Sequence, residues 1–493
     1  MTLIILLLIP LLVSGVCFIV PGRRWMELLT IIGTAIVLIL AGLAAHQVTF
    51  SGHISELSDW LYADALSALT LLVISFVSFT TALYSVGYLR EDMREQDVAQ
   101  GEGLRHLRRY YVLFNLFVFS MLVVPISNSL GVLWIAIEGT TLASLFLVSF
   151  YGTGEALEAA WKYVIVGSVG IALALFGTIL AYYSAVQVLG TSYDLNWSVL
   201  APVAAHLNPG IMRLAFLFIV VGYGTKAGLA PMHTWLPDAH SEAPSPISAL
   251  LSGVLLNCAL YGILRYFALA VPSVGHAYPA ALLLAFGLFS LLIAALLIFR
   301  QRDYKRLLAY SSVEHMGIIA IGVAFGGALG LYGALLQVLN HAVTKSLMFF
   351  GSGQVLLKYG TKDIGRVSGI IKLMPVTGSM LILGGLALTG SPPFSMFISE
   401  FSILSAGFRS GYTVAAIAML VLIALIFVGF LFYFNGMVFG KVSMAIKPGE
   451  ISYVSILAMA LSALLIVGLG VFIPAPLSDL LHQAAAVLGG ANR

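Results

Sequence analysis

The sequence predicts an all-α polytopic membrane protein with fourteen transmembrane helices. Of its 493 residues, 60% are hydrophobic and only 9% are charged, whereas about a quarter of the residues of a soluble globular protein carry charge. Apolar stretches of about 20 residues, the length with which a helix crosses a bilayer, recur along the whole chain. Only residues 89–109 form a sizeable hydrophilic segment, so we expect nearly all of the protein to lie inside the membrane.

The fourteen spans follow from these apolar stretches in chain order. The first has no basic residue before it, and Arg23 and Arg24 come after it, which is the reverse of a cleaved signal peptide. We therefore interpret it as a transmembrane helix whose N-terminus lies outside. The predicted spans are residues 3–20, 27–46, 62–88, 110–125, 129–150, 162–187, 211–230, 245–270, 278–299, 307–325, 328–356, 373–407, 412–439 and 453–474.

The basic residues give an independent check on this count, since cytoplasmic loops carry an excess of Lys and Arg. With the N-terminus outside, 18 of the 24 Lys and Arg residues fall on the inner side and four on the outer side. This split predicts a multi-pass membrane protein with both termini on the outer face, and we expect that membrane to be a prokaryotic cell (inner) membrane. The inner residues are Arg23, Arg24, Arg90, Arg94, Arg105, Arg108, Arg109, Lys162, Arg300, Arg302, Lys305, Arg306, Lys358, Lys362, Arg366, Lys372, Lys441 and Lys447; the outer ones are Arg213, Arg265, Arg409 and Arg493.

Five ionisable residues lie where hydropathy predicts bilayer depth: Glu138, Lys226, His341, Lys345 and Glu400. Such residues are rare inside membranes and usually functional. Burial disfavours the charged form of a side chain, and a nearby opposite charge restores it. A buried lysine that gains and loses a carboxylate partner can therefore take up and release a proton. His341 and Lys345 are four residues apart, which places them on one helix face.

Purely structural roles are the alternatives for these residues. Lys226 could extend its ammonium to the membrane interface, and Glu138 and Lys345 could belong to static pairs. His341 could form a hydrogen bond between helices, and Glu400 could be a fixed counter-charge.

Proline breaks two of the predicted spans close to ionisable residues. Lys226 precedes Pro231 by five residues, and Glu400 follows the Pro392–Pro393 pair by seven. Such breaks free backbone groups that protein or water must satisfy, so they line cavities or pathways. They fall in spans 7 and 12, as two inverted five-helix repeats (spans 4–8 and 9–13) would place them. The chain would then divide into an N-terminal three-helix segment, two repeats and a last span: residues 1–109, 110–270, 271–440 and 441–493.

Recognisable cofactor motifs are missing from the sequence. Its two cysteines, Cys17 and Cys258, lie far apart in apolar runs, so they cannot form an iron–sulfur or zinc site. The sequence has neither a phosphate-binding loop nor a dinucleotide fingerprint. We therefore expect no cofactor, no metal and no redox site in this chain. A membrane cytochrome is a disfavoured alternative. Its candidate haem ligands are His233, His240, His315 and His341, and of these four only His341 is clearly mid-span.

Three motifs resemble those of a known family: Lys226 followed after six residues by HTWLPDAH, then NHAVTKSLMFF, then GSPPFSMFISE. They are similar to the antiporter-like subunits shared by respiratory complex I, Mrp-type cation/proton antiporters and group 4 hydrogenases. The resemblance covers essentially the whole chain. The stretches AIEGTTLAS, EAAWKYVIVGSVGIAL, AYSSVEHMG and DAHSEAPSP most resemble component F of hydrogenase-4.

The resemblance implies a polar axis along the bilayer midplane, fed by water-filled half-channels. Glu138 matches the family's fifth-span glutamate, and Lys226 matches the seventh-span lysine paired with it. Lys345 matches the eleventh-span lysine, His341 lies one turn before it, and Glu400 matches the twelfth-span ionisable group. The sequence departs from many complex I relatives at Asn257, where they have a lysine or histidine.

The resemblance therefore implies a proton-translocating membrane subunit of an oxidoreductase complex, of the hydrogenase-4 or formate hydrogenlyase type. The expected partners are other antiporter-like membrane subunits and a peripheral arm with nickel–iron and iron–sulfur centres, with lipids as further ligands and no nucleic acid. The alternatives are a subunit of an Mrp-like cation/proton antiporter and a subunit of an NADH:quinone oxidoreductase.

Overall fold

The computed structural model describes residues 1–93, 100–191, 193, 195–442 and 446–490. Within them the chain is a bundle of apolar helices, so the predicted all-α class is confirmed. Arg94 and Arg493, both counted in the basic split above, lie outside the described residues. One short hairpin was not predicted: strands β1 (Ile54–Glu56) and β2 (Leu61–Ala63) pair antiparallel.

The helices are, in order, α1 Thr2–Ile19, α2 Arg23–Ser51, α3 Ala65–Asp92, α4 Gln100–Ile126, α5 Leu130–Val148, α6 Gly154–Leu189, α7 Trp197–Leu200, α8 Pro209–Ala227, α9 Trp235–Glu242, α10 Ser245–Leu250, α11 Leu256–Val274, α12 Ala277–Ile298, α13 Tyr304–Phe325, α14 Gly327–Tyr359, α15 Ile370–Leu373, α16 Pro375–Leu388, α17 Ser395–Arg409, α18 Thr413–Phe439, α19 Tyr453–Val471 and α20 Ala475–Ala485. A π-helical turn, Leu251–Leu255, joins α10 to α11. Hereafter the inner end of the bundle is the end at which α1, α3 and α5 finish.

Twelve helical segments among the described residues are long and apolar enough to cross a membrane. The long helix α14 and the pair α16–α17 occupy the stretches predicted as spans 11 and 12 but are not among the twelve. The count of fourteen therefore stays a prediction, as do the two inverted repeats and the four-part division of the chain.

Both predicted breaks appear as interruptions between helices. After α8, the chain passes through Gly228, which has a left-handed backbone, and a 3₁₀ turn at Met232–Thr234 before α9 begins. After α16, residues 389–394 precede α17. Each break leaves backbone N–H and C=O groups inside the bundle without a helical hydrogen bond. Polar side chains in the bundle can bind these groups.

The helices form a buried centre and an apolar periphery. The most apolar stretches of the α10–α11 segment and of α13 are wholly buried, whereas most of α18 faces outward. Helix α14 packs against α3, α10, α13, α16, α17 and α19. The buried Lys, His and Glu side chains of the second half of the chain lie on α13, α14 and α17, so this packing removes them from lipid.

A buried ion pair joins the start of α3 to α11 at the outer end. Arg265 donates from Nη1 to Asp64 Oδ2 at 2.6 Å and from Nη2 to Asp64 Oδ1 at 2.8 Å. Its guanidinium also lies 4.2 Å from the centre of the Trp197 ring, and Asp64 caps α3 by accepting from the Ser67 N–H. Both members of the pair are almost fully buried. Each charge therefore depends on the other for compensation.

We expect Asp64→Ala to destabilise the protein by about 3–5 kcal/mol, because it leaves the Arg265 guanidinium buried without a counter-charge. The measurement is the thermal unfolding of the detergent-purified protein. Arg366→Gln is the matched control, since Arg366 and Asp363 form an exposed pair worth at most about 1 kcal/mol. Equal melting temperatures for the two variants would contradict this role of Asp64.

Candidate functional site

Lys226 lies in the last turn of α8, and its side chain is fully buried. Its Nζ donates to Thr141 Oγ1 on α5 and to the Tyr163 hydroxyl on α6 at 3.3 Å. The ammonium also lies 4.9 Å from the centre of the Tyr163 ring. Lys226 therefore does not extend to the membrane interface, which removes that structural alternative.

Thr141 connects Lys226 to Glu138. The Thr141 hydroxyl donates to Glu138 Oε2 at 3.2 Å and accepts from the Lys226 ammonium. The predicted partners are thus brought together, but a hydroxyl stands between the ammonium and the carboxylate. Thr141 lies three residues after Glu138 on α5, and side chains at that spacing are neighbours on a helix.

The break after α8 holds Lys226 in place. The indole N–H of Trp235, at the start of α9, donates to the Thr225 carbonyl at 2.8 Å. The same carbonyl accepts from the Gly228 N–H at 3.3 Å, so the indole adds a second hydrogen bond at the end of α8. The Trp235 ring also packs against Tyr163, with ring centres 4.7 Å apart. The break thereby fixes both the lysine and one of its hydrogen-bond acceptors.

Glu138 lies at the edge of the bundle rather than in its centre. Its side chain is half-buried, and its Oε1 accepts from the Ser168 hydroxyl of α6 at 3.1 Å. On the same helix, Ile135 and Leu142 are exposed apolar side chains. The first charge of the predicted axis is therefore open to a side of the bundle that lipid or another protein must cover.

Lys345 has an arrangement similar to that of Lys226. It is fully buried on α14, and its Nζ donates to the Leu308 carbonyl at 2.7 Å and to the Ser311 hydroxyl, both on α13. The Glu314 carboxyl, one turn after Ser311, interacts electrostatically with it. Glu314 is buried and was not among the predicted site residues. The signal was available: an acidic residue within the predicted tenth span.

A row of polar side chains links His341 to Glu400. The His341 and His315 rings have centres 5.4 Å apart, and the His315 Nδ1 lies 3.1 Å from the Gln337 side-chain nitrogen. That nitrogen donates to Glu400 Oε1 at 3.3 Å. The structure thus brings His341 and Glu400 into one network through His315 and Gln337, neither of which was predicted as a site residue of the axis.

The second break supplies the space that Glu400 occupies. Gly390, in the break before α17, has a φ of +65°, and a Cβ at this position would overlap the Glu400 carboxylate. The carboxylate is buried and therefore lies directly against the backbone of the interrupted span. Only glycine combines this backbone geometry with the close approach.

Asn257 and the π-helical turn lie between the two halves. The Asn257 side-chain nitrogen donates to the Gly253 carbonyl in that turn at 2.7 Å, and the turn packs against α14. Ser252, in the same turn, forms a hydrogen bond of 2.7 Å with Ser312 on α13. Three buried polar atoms in this region have no partner among the described residues: Asn257 Oδ1, His341 Nδ1 and His341 Nε2.

A second polar chain begins at the inner end, at Asp92. The Tyr151 hydroxyl donates to Asp92 Oδ2 at 3.0 Å and lies 3.0 Å from the Tyr88 hydroxyl. One turn earlier on α3, the Tyr84 hydroxyl accepts from the Gln354 side-chain nitrogen of α14 at 3.1 Å. The Tyr84 and Tyr88 rings stack with centres 5.7 Å apart, but no hydrogen bond between their hydroxyls is present, so the polar contacts near the inner end and those to α14 form two adjacent groups.

The space beside these tyrosines contains further polar atoms. Ser245 Oγ and Gln354 Oε1 are buried and have no partner in the described part of the chain. A Cβ on Gly353 would collide with the Tyr84 hydroxyl and would lie 2.9 Å from Ser245 Oγ. The glycine thus allows Tyr84 and Ser245 to pack closely against the α14 backbone.

These observations define a polytopic membrane protein of the ion-translocating class. Residues 127–427 match the family model described as NADH:quinone oxidoreductase/Mrp antiporter, TM. Residues 55–97 match the model described as NADH-Ubiquinone oxidoreductase (complex I), chain 5 N-terminus. The chain belongs to this family, and all five predicted site residues lie within the longer match. It is a proton-translocating, antiporter-like subunit of the kind found in complex I-like, hydrogenase and Mrp complexes.

Two sequence relatives are hydrogenase-4 components. The hydrogenase-4 component F homolog of Methylacidiphilum infernorum is 44% identical, over 74% of this chain and 77% of its own length. Hydrogenase-4 component B of Escherichia coli is 33% identical over 69% of this chain, which matches half of that protein.

Solved structures share the fold over nearly the whole chain. A chain of the membrane-bound sulfane sulfur reductase, an archaeal respiratory membrane complex, superposes with a TM-score of 0.86 at 27% identity and covers 99% of this chain and 97% of its own. A chain of the Mrp complex from Dietzia sp. gives 0.85 at 20% identity, with 99% and 97% coverage. A chain of respiratory complex I from Thermus thermophilus gives 0.81 at 23% identity, with 99% and 100% coverage. Because the last two identities are below 25%, the similarity to these two structures shows a shared fold and nothing further.

Proposed function

We propose that this chain moves protons along the buried axis from Glu138 to Glu400, as a membrane subunit of a hydrogenase-4 or formate hydrogenlyase type complex. The observation that carries the proposal is a pair of fully buried lysines, Lys226 and Lys345, whose ammonium groups bind uncharged oxygens. On each neighbouring helix a glutamate lies one turn from the hydroxyl that binds the lysine. The name of the relative that is 44% identical supports the choice of complex.

The first step of the proposed mechanism is exchange of the Lys226 partner. When the ammonium binds Glu138, its positive charge is compensated; when it turns away, the low-dielectric interior favours the neutral amine and release of a proton. Two unit charges about 4 Å apart interact by about 4 kcal/mol at an effective dielectric constant of about 20. That is comparable to about 3.5 kcal/mol for one proton crossing about 150 mV. The change in electrostatic energy when Lys226 changes partner is therefore large enough to be coupled to the movement of one proton across the membrane.

Thr141 gives this exchange a specific geometry. The hydroxyl that separates the two side chains accepts from the ammonium and donates to the carboxylate at the same time. A small rotation of the lysine would replace this bridge by a direct ion pair. The arrangement corresponds to the loosened state of the pair, with the partner still within reach.

In the second half, Glu314 and Lys345 take the roles that Glu138 and Lys226 take in the first. Lys345 is held by a carbonyl and a hydroxyl, with Glu314 close enough to interact electrostatically. A proton released here would reach Glu400 through water beside His315. The Gln337 side-chain nitrogen contacts both His315 Nδ1 and Glu400 Oε1, and because an amide cannot titrate, Gln337 would position these two groups rather than carry the proton. Glu314 is thus an additional member of the proposed axis.

Water is the proposed link between the two halves. Asn257 cannot titrate, and its carbonyl oxygen and both His341 nitrogens lack partners among the described residues. Buried polar atoms of this kind are commonly satisfied by ordered water, which also conducts protons between side chains. The departure from the family pattern at position 257 therefore does not interrupt the proposed route.

The tyrosine chain at the inner end is the proposed inlet to the second half. Hydroxyl groups can pass a proton by accepting one and donating another, and those of Tyr151 and Tyr88 lie within hydrogen-bond distance of each other. Tyr151 reaches Asp92 near the surface, and Tyr84 contacts Gln354 on α14. The route would supply protons to α14 from the inner side.

The remaining parts of the proposal concern the setting of the subunit. Redox chemistry would belong to a peripheral arm with nickel–iron and iron–sulfur centres, and neighbouring antiporter-like subunits would cover the edge at Glu138. The membrane would be a prokaryotic inner membrane with both termini on its outer face. An Mrp-like antiporter subunit is the second candidate, supported by the shared fold, and a complex I subunit is the third.

We expect Lys226→Arg to abolish proton movement while leaving assembly intact, because a guanidinium stays protonated in this range. Lys226→Ala and Glu138→Ala should have the same effect. The measurement is formation of a pH gradient in sealed vesicles, with the abundance of the complex determined in parallel. An arginine variant that pumped at the normal rate would make Lys226 a static charge and would overturn the exchange mechanism.

We expect Tyr88→Phe to slow proton movement about tenfold, a change of about 1.4 kcal/mol in the barrier, because it removes one hydroxyl from the inlet and keeps the ring. Tyr110→Phe is the matched control: Tyr110 is equally buried, and its hydroxyl forms a hydrogen bond with Ser85 outside the proposed route. The same vesicle assay applies. Equal rates for the two variants would exclude the tyrosine inlet without affecting the role of Lys226.

Purification in mild detergent with a tag on this subunit should retrieve proteins that contain iron–sulfur centres, detected by their absorption spectra and by mass spectrometry. The isolated subunit should show no hydrogenase or quinone-reductase activity, since the chain has no cofactor motif. Recovery of small antiporter subunits alone would instead identify the Mrp-like function.

A further inference from the structure

A cavity of about 360 Å³ lies at the inner end, between α1, α4 and α5. It takes no part in the proposed proton route. Three arginines of α4 line it together with apolar side chains from all three helices. The lining residues are Phe18, Arg105, Arg108, Arg109, Val112, Leu113 and Phe146.

The arginines of this cavity have no acidic partner among the described residues. Arg108 donates from Nη2 to the Val20 carbonyl at 3.4 Å, and its Nε is buried without a partner there. The Arg109 guanidinium lies 5.3 Å from the centre of the Phe146 ring, so an aromatic face orients it. Three positive charges are thus concentrated at one site with hydrogen-bond donors unused.

The other side of the cavity is apolar and faces outward from the bundle. Phe18 is 67% exposed and Phe146 is 47% exposed, although both lie in helices that can cross the membrane. Val112 and Leu113 continue the apolar wall one turn beyond the arginines on α4. The cavity therefore combines the arginines of α4 with Phe18 and Phe146 at the ends of α1 and α5, and only Val112 and Leu113 extend its apolar wall further along α4.

We propose that this cavity binds an anionic phospholipid, with the phosphate on the arginines and an acyl chain against Phe18 and Phe146. The planar guanidinium donates in pairs to phosphate oxygens, and basic pockets between transmembrane helices at the cytoplasmic side bind anionic head groups. A free phosphate would match only the charged half, whereas a phospholipid matches both. A phospholipid bound here holds α1 and α5 against α4.

The test uses the assembled complex reconstituted in nanodiscs that contain phosphatidylglycerol and phosphatidylcholine, followed by detergent extraction and native mass spectrometry. We expect wild-type complex to retain phosphatidylglycerol and Arg105→Gln/Arg109→Gln to retain at least about fivefold less, since both changes remove charge. Arg108 is left intact because it also bonds the α1 backbone. The matched control is Arg300→Gln/Arg302→Gln, which removes two exposed arginines from the loop between α12 and α13 and should retain the wild-type amount.

Two further measurements distinguish the sources of phosphate. Phosphatidylglycerol should raise the melting temperature of the wild-type complex and not of the α4 double variant, whereas inorganic phosphate should raise neither. Phe146→Ala should weaken lipid retention without changing the charge. Equal retention by the two double variants, stabilisation by inorganic phosphate alone, or occupation of the cavity by an acidic segment of a neighbouring subunit would each overturn the proposal.

Discussion

The structure depends on one constraint: charged and polar groups within the bilayer must find their partners inside the protein. Two interrupted spans make this possible at the centre of the bundle. The α8 break gives Trp235 a carbonyl to bind and positions Lys226 beside Tyr163, and the α17 break gives Glu400 room against Gly390. Elsewhere the bundle meets the constraint with compensated pairs, of which Asp64 with Arg265 is the most buried. The breaks thus create the site, and the paired charges outside it keep the scaffold rigid around them.

The two lysines satisfy this constraint in the same manner. Lys226 binds the hydroxyls of Thr141 and Tyr163, and Lys345 binds a carbonyl and the Ser311 hydroxyl. In each half a glutamate lies three residues after or before the hydroxyl that binds the lysine, on the same helix: Glu138 on α5 and Glu314 on α13. Only Thr141 also contacts its glutamate. Neutral acceptors keep an ammonium bound without fixing it as strongly as a buried carboxylate would. A side chain held in this way can change partners, which a permanently paired ion such as Arg265 cannot do.

The sequence was sufficient for the membrane class, the two breaks and the burial of Lys226, because each depends on local composition or on proline. The family resemblance also paired Glu138 with Lys226, which Thr141 connects in the structure, but Glu314, the carboxyl beside Lys345, was not predicted. It missed Thr141, Gln337 and His315 as connecting groups, because uncharged polar residues are common in membrane helices and their importance depends on contacts between distant segments. It missed the hairpin β1–β2 and helix α20 because three-residue strands and a short terminal helix carry little periodicity.

Glu314 shows where the sequence argument and the fold complement each other. In the predicted repeats, span 5 corresponds to span 10, so Glu138 and Glu314 would occupy matched helices. The contacts of Lys345 with Leu308 and Ser311 place α13 beside α14 independently of that symmetry. A buried carboxyl at this position can compensate the charge of Lys345, which a neutral imidazole such as that of His341 cannot do. The contacts of Lys345 thus support a role for Glu314 even if the repeats are set aside, and in the proposed mechanism Glu138 and Glu314 give each lysine a carboxyl partner.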